Sequence, residues 1–357
     1  MCLKNGSGQA VDNDILVNSS VARRLLRATS VLLILLLVSV VFSAAIGPVY
    51  ISPLDVAKVV LHHLPILVHG SHPDVSFATE QIVWEIRIPR TFLGILVGMC
   101  LAMAGAALQG LLLNPLADPY MIGVSSGAAL GAGIGVLLGL SGVLLGLGLP
   151  LVAFGTAILA VSIVYLLAYR GGTVSILSFV LAGVVVGSFM WAGLTFIMTI
   201  ASRDLERIVF WTMGSLASSD PWPRVLIILP FTVFGLITLS VFARDLNVFS
   251  LGEESARYLG LEVESLKRII IGCSALVTAA AVSVSGTIGF VGLVVPHMAR
   301  KLFGSDHRIL IPSSALLGAT LVVVADTLAR TLSEIPIGVI TALLGAPFFL
   351  YLLKKTA

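Results

Sequence analysis

Apolar residues do not alternate along this chain; they fall in long blocks separated by short charged segments. Eight blocks contain no Asp, Glu, Lys or Arg: Ala28 to Leu54, Thr91 to Ala117, Pro119 to Tyr169, Gly171 to Ser202, Val225 to Ala243, Ile269 to Ala299, Ile309 to Ala325 and Ile335 to Leu353. Such blocks are the pattern of helices with apolar surroundings on every side. A helix rising about 1.5 Å per residue needs about 20 residues to cross a hydrocarbon core of about 30 Å. The 51 residues from Pro119 to Tyr169 therefore hold two spans, divided between Gly139 and Pro150.

The pattern predicts ten spans, at about 25–47, 91–113, 119–138, 149–169, 174–201, 225–243, 267–285, 288–303, 309–329 and 336–353. In the eighth, Gly286, Gly289, Gly292 and Pro296 point to a short or broken helix whose irregular backbone is buried in protein rather than lipid. The predicted fold class is an all-α polytopic membrane protein. It comprises a tail over 1–24 and one transmembrane domain over 25–357, with outer loops at 47–90 and 202–224 and an inside segment at 244–266. Arg23, Arg24 and Arg27 before an apolar run resemble a secretory signal, but the run from Ala28 to Ile46 is longer than a signal core and is read as the first span.

Composition turns this reading into a requirement. Only 11% of residues are charged, against about 25% in globular proteins, while 58% are apolar and mean hydropathy is +1.08. Water cannot be the solvent for such a surface. With the N-terminus inside, 14 of the 21 Lys and Arg fall on the inside and 7 outside, a bias that places both termini in the cytoplasm. Net charge is +3, with no basic run interleaved with aromatics, so nucleic acid is not expected as a partner.

Candidate chemistry is sparse. No GxxxxGK[ST] occurs, so the chain is not expected to hold a nucleotide in the usual way, and energy has to come from elsewhere. Asp326 is an isolated acid near the end of the ninth span, with no chain of Asp, Glu and His to relay protons. Cys2, Cys100 and Cys273 have no ligand-like spacing and read as small core residues. His297 reads as a structural residue. His62, His63, His69 and His72 read as a solvated outer loop, with a metal or haem contact as the alternative.

Two local features stand out in the polar segments. Ser52-Pro53-Leu54-Asp55 has the cap, first-turn proline and acidic residue of a helix start, predicting a short helix at the outer interface. Leu246 to Leu261 reads as two short helices at an angle, with Ser250 and Glu253 as a capping box and Gly260 as a C-terminal cap. Apolar residues left facing the cytosol by such a pair need a partner surface.

In order along the chain stand Ile86-Arg87-Ile88-Pro89-Arg90, Gly105 to Gln109, Asn114-Pro115-Leu116-Ala117-Asp118-Pro119, Gly123 to Ala128 and Leu251-Gly252-Glu253 with Leu259-Gly260-Leu261. They are followed by Gly286 to Leu293, Pro296-His297, Asp306-His307-Arg308, Ala325-Asp326 and Glu334 to Gly338 with Gly345-Ala346-Pro347. From about Ser43 to Lys354 this series resembles the FecCD-type permeases of ABC importers for iron chelates, haem and cobalamin.

The resemblance implies an inner-membrane permease with ten helices per subunit, paired with a second permease subunit as a homodimer first, or with a paralogue. It also implies a pair of cytoplasmic ABC ATPase subunits and an extracytoplasmic substrate-binding protein. No cofactor is expected in the chain itself, ATP and Mg belonging to the ATPase, and the permease is not expected to be an enzyme. Arg87 and Arg330 match outer arginines that pair with glutamates of the binding protein. Gly252, Glu253, Ala256, Leu259 and Gly260 match the coupling helices that contact the ATPase. Asn114 and Leu116 match one cytoplasmic gate; the segment from Ser175 to Ser178, with Ile176, Leu177 and Ser178, matches the other, and the cobalamin-type pattern has small hydroxyl residues where this chain reads Ile176 and Leu177. The expected cargo is an iron chelate, a ferric siderophore first, with cobalamin or haem as alternatives; an ion-coupled secondary transporter is the alternative from another class.

Overall fold

The computed structural model describes residues 6–63, 75–144, 146–218 and 220–356, which are mostly helical. The chain opens with α1 (Gly6–Ala45) and α2 (Pro53–His63), then α3 (Phe77–Gln81), which runs through a π-helical turn at Ile82–Arg87 into α4 (Ile88–Leu111). A 3-10 turn at Pro119–Ile122 precedes α5 (Val124–Leu137), and α6 (Gly148–Ala168) leads through the antiparallel hairpin β1 (Tyr169–Arg170) and β2 (Thr173–Val174) into α7 (Ile176–Ile200). Then come α8 (Leu205–Thr212), α9 (Trp222–Val241), α10 (Ala243–Phe249), α11 (Glu253–Tyr258), α12 (Val263–Ser285), α13 (Val291–Phe303), α14 (His307–Thr331) and α15 (Ile337–Thr356).

Each of the ten apolar stretches forms a helix, and 7 helices among the described residues are long and apolar enough to cross a membrane. The apolar part of α15 is shorter, as are α5, of 14 residues, and α13, of 13. Helix α5 starts later than its pattern suggests because Gly123 adopts a left-handed conformation (φ 83°), which ends the 3-10 turn and resets the chain direction. The predicted start of α2 is present: Ser52 Oγ accepts from the Asp55 N–H at 3.3 Å.

Helix α4 is the axis of the bundle, nearly all of it buried and packed against α14, α12, α9 and α13. Among membrane helices apolar burial alone gives little drive, so close packing has to supply it, and small residues permit the closest approach. A Cβ on Gly98 would collide with the Gly318 carbonyl of α14, and one on Gly105 with the Gly292 carbonyl of α13. The broken eighth span is present as foreseen: after Ser285 the backbone leaves the helix through Gly286 (φ 68°) and Phe290 (φ 67°) before α13 begins. Tyr120 satisfies that irregular stretch, its hydroxyl donating to the Ile288 carbonyl and accepting from the Ile288 N–H, both at 3.0 Å.

The capping box is not present. Ser250 stands at the C-terminal end of α10, where its hydroxyl donates to the Asn247 carbonyl at 2.6 Å, and Gly252 (φ 104°) is the residue before α11. A tight two-turn connection needs a positive-φ residue more than a side-chain cap, and glycine supplies it. The C-terminal cap at Gly260 (φ 84°) is found, with the Leu261 N–H returning to the Ala256 carbonyl at 3.0 Å.

Candidate functional site

Polar side chains collect at the two ends of the bundle. At the end predicted to lie outside, the end of α1 meets the starts of α4 and α9 and the ends of α12 and α14. Arg90 on α4 reaches Asp326 on α14 with its Nε at 3.0 and 3.1 Å and its Nη2 at 2.9 Å, and its Nη1 lies 3.0 Å from Glu334. Arg330, one helical turn beyond Asp326, pairs with it at 3.2 Å and donates to the Ser43 carbonyl and hydroxyl at 3.0 and 2.7 Å. Arg87 donates to the carbonyls of Ala44 and Ala45 at 2.7 and 2.9 Å and to that of Val49.

This arrangement changes the reading of the two outer arginines. Arg87 and Arg330 are each only 3% exposed and are committed to the end of α1, so they are not surface charges in this arrangement. An Arg side chain carries five donors, and buried carbonyls are partners for them. Glu334 is the accessible member of the cluster, its side chain 51% exposed. Arg90, Asp326 and Glu334 were not singled out by sequence as a site; the signal was the lone acid inside an apolar helix, which demands a cation. Beside this cluster His63 stacks on Trp84 (4.1 Å between rings), its Nδ1 donating to the Val59 carbonyl at 3.0 Å, and Trp84 approaches Trp222 at 5.9 Å. His69 and His72 lie outside the described residues.

At the opposite end stand the candidate coupling and gate residues. Asn114 and Leu116 form an exposed turn in which the Asn114 side chain accepts from the Leu116 N–H at 2.9 Å. Ile176, Leu177 and Ser178 form the first turn of α7, capped by Ser175, whose hydroxyl accepts from the Ser178 N–H at 3.4 Å. The 3-10 turn that follows the first stretch packs on α7, with the Met121 carbonyl so close to Gly183 that a Cβ there would collide. Asp118 caps this turn, accepting from the Tyr120 N–H at 2.8 Å; burial pushes its carboxyl up to about 6, the hydrogen bond offsetting only part of the effect.

Helix α10 is fastened to the start of α14. The Asn247 side chain donates to Asp306 at 2.7 Å and accepts from the backbone N–H and ring Nδ1 of His307 at 2.9 and 2.8 Å. Burial would raise the Asp306 carboxyl, but hydrogen bonds from Arg308 and Asn247 outweigh it and hold the group at about 2. Helix α11 and its flanking residues present Tyr258 (92% exposed), Leu251 and Leu259 outward, with Glu253 only partly covered. Ala256 faces the other way and is fully buried, so it is not available for the contact expected of it on this outward face.

Between the ends, an open cleft of ≈ 580 Å³ runs beside α15, walled by Thr212, Met213, Thr287, Gly338, Ala342 and Ala346 among others. Its wall is mostly apolar, and the backbones meet closely: the Gly338 N–H donates to the Met213 carbonyl at 3.1 Å and the Ile337 N–H to the Gly214 carbonyl at 3.0 Å.

The sequence profile of the FecCD transport family matches residues 35–355. The chain belongs to the FecCD transport family. Similar proteins include the cobalamin import system permease protein BtuC of Halobacterium salinarum, 44% identical over 281 residues (78% of this chain, 75% of that one). The hemin transport system permease protein HmuU of Yersinia pestis is 41% identical over 298 residues (78% and 86%). A solved structure assigned to a metal-chelate type ABC transporter, in an inward-facing conformation, superposes with a TM-score of 0.78 at 32% identity, covering 91% of this chain and 97% of the other. The chain is thus a multi-pass ABC transport permease.

Proposed function

We propose that this FecCD permease carries a metal chelate inward across the cytoplasmic membrane, driven by ATP hydrolysed on a separate subunit pair. The observation that carries the reading is the exposed apolar edge formed by α11 and the residues that flank it. Leu251, Tyr258 and Leu259 stand out at the end of the bundle that carries the excess of Lys and Arg, in a chain with no nucleotide-binding loop of its own. Such an edge calls for a partner, and a partner that closes on ATP could push it. In this reading the segments at 114–116 and 176–178 gate the cytoplasmic side, a second permease subunit completes the pathway, and both termini lie inside. The ten helices would all span, the short ones buried by their neighbours.

The binding protein would dock at the end holding Arg87, Arg90 and Arg330. Because these guanidiniums are buried, a docking glutamate would meet Arg90 first, by exchange with the half-exposed Glu334. The first reading of the cargo is a ferric siderophore. Relatives named for cobalamin and hemin, at 44% and 41% identity, favour a second reading in which the chelate is a cobalamin or haem.

The test is purification from the native membrane in mild detergent, followed by identification of the co-purifying subunits and of the solute held by any binding protein. An ATPase that is retained by the wild type and lost on Tyr258→Asp with Leu259→Asp supports the reading. A chain that purifies alone and drives uptake from an ion gradient without ATP overturns it in favour of a secondary transporter.

A further inference from the structure

The side chain that joins the exposed α10–α11 pair to the rest of the bundle is Lys267, on the first turns of α12. Only 2% exposed, it uses all three ammonium protons: one to the Val174 carbonyl at 3.0 Å, one to Glu253 on α11 at 2.9 Å and one to Glu264 at 3.1 Å. The other oxygen of Glu264 accepts from the Val174 N–H at 3.0 Å, so both backbone groups of Val174 are held by the Lys267 and Glu264 pair. Arg257 of α11 closes the set, its Nη2 reaching Glu253 at 2.7 Å and Glu264 at 3.1 Å.

Val174 is the last residue of the β1–β2 hairpin and immediately precedes Ser175, the cap of α7. The hairpin turn itself, Gly171 and Gly172 at φ 57° and 88°, has open space around it. One buried ammonium therefore ties three separate pieces of chain: α11, the start of α12, and the strand that delivers α7.

We propose that Lys267 is a positioning residue that makes α11 and the β1–β2 hairpin one moving body, so that displacement of the α10–α11 surface is delivered to the first turn of α7. A cation of this kind suits the task. Its Coulombic attraction is strong where water is excluded, and its bonds to two carboxylates and a carbonyl fix direction as well as distance. Asn247 fastens α10 to α14 by a different set of bonds, so the pair has one anchor on the bundle and one on α7. Two discrete attachments of one rigid element are what a mechanical link requires. The proposal rests on reading α10 and α11 as the surface the ATPase moves.

The test uses the full-length chain in nanodiscs with its ATPase, with spin labels on Ser255→Cys of α11 and Thr173→Cys of the hairpin. In the otherwise wild-type protein the label distance is expected to be single and equal in the nucleotide-free and ATP-trapped states. In Lys267→Met it is expected to broaden or shift by about 2 Å or more, the scale of small helix displacements, and amide exchange of residues 169–175 is expected to rise. Glu253→Ala with Arg257→Ala, which removes both ties of α11 and leaves Val174 clamped by Lys267 and Glu264, should release the distance and leave the hairpin's exchange unchanged; this second variant serves if Lys267→Met does not fold.

A distance that differs between nucleotide states in the wild type, or that stays single in both variants, overturns the linkage. A complex that retains no ATPase overturns the functional reading, and the nucleotide-free comparison of wild type with variants still decides the role of Lys267.

Discussion

Replacing Asp326 with Asn isolates the contribution of one buried carboxylate. Asp326 is 2% exposed and contacts Arg90 at 2.9 Å and Arg330 at 3.2 Å, while Arg87 stands nearby with carbonyl partners only. Arg90 and Arg330 thus share the two carboxylates with a third guanidinium nearby, and the substitution takes the local charge from +1 to +2 at a buried position. At 2.9 Å and an effective dielectric constant of about 20, each pair is worth about 5 to 6 kcal/mol of attraction. Most of that is offset by desolvation; breaking such a pair typically costs about 3 to 5 kcal/mol, because a charge is left behind. Asparagine keeps the shape but turns an amide towards Arg90, donor facing donor. The expected loss is therefore about 3 to 4 kcal/mol in equilibrium unfolding in mild detergent titrated with a denaturing one. A double-mutant cycle with Arg90→Met should return a coupling of about 2 kcal/mol, since the two groups touch. Glu334→Gln, at the half-exposed partner, should cost under about 1 kcal/mol. An Asp326→Asn loss below about 1 kcal/mol would refute the view that this carboxylate holds α4 and α14 together.

Two further outcomes follow from single residues. The Asp118 carboxyl is raised to about 6 in the folded chain, against an ordinary value of 3.8. The folded state therefore binds this proton more tightly than the unfolded state, so the associated stability is full below about 4 and is lost as pH rises through about 6. Asp118→Asn keeps the acceptor for Tyr120 and should stabilise the protein by about 1 to 2 kcal/mol at pH 7.5, allowing for partial exposure, with no gain at pH 4; an equal effect at both pH values in denaturation curves would contradict this. Gly98→Val would drive a side chain into the Gly318 backbone, and the variant should fail to accumulate as a monodisperse species on size exclusion. Gly272→Ala, on α12 with open space around it, should behave as wild type in the same measurement.

Much of the fold was legible because lipid simplifies the code. Where every spanning element is a helix, apolar block length and the breaks within blocks are enough, and each of the ten predicted stretches appears as a helix. The broken segment after Ser285 and the two short helices before Val263 were also legible, through clustered glycines and turn residues. What the sequence hid depended on partners far along the chain. Arg90 and Asp326 are separated by 236 residues, and nothing local distinguishes an arginine that faces headgroups from one that faces an acid on another helix. Ala256 was misread for a different reason: a helix of 6 residues has too few turns for its apolar face to be told from its exposed one. Ser250 looked like a cap because serine favours helix starts, but Gly252 takes the position, its backbone freedom meeting the demand of the turn.

The two ends of the bundle use charge in opposite ways, and the difference bears on where motion can occur. At one end Arg87, Arg90 and Arg330 are bound to the end of α1 and to Asp326, so α1, α4 and α14 are fixed to one another by buried bonds. Along their length α4 and α14 touch backbone to backbone at Gly98 and Gly318, and such a contact leaves no slack for sliding. Helices α1, α4 and α14 therefore form a spine that does not rearrange without breaking several buried interactions at once. At the other end the charges sit beside exposed surface and tie α11 to the hairpin before α7. In the proposed reading such a permease would change state by moving α7 relative to α4, and the stretches at 114–116 and 176–178, expected to form the gate, lie at the α4 end and the α7 start, on either side of that boundary.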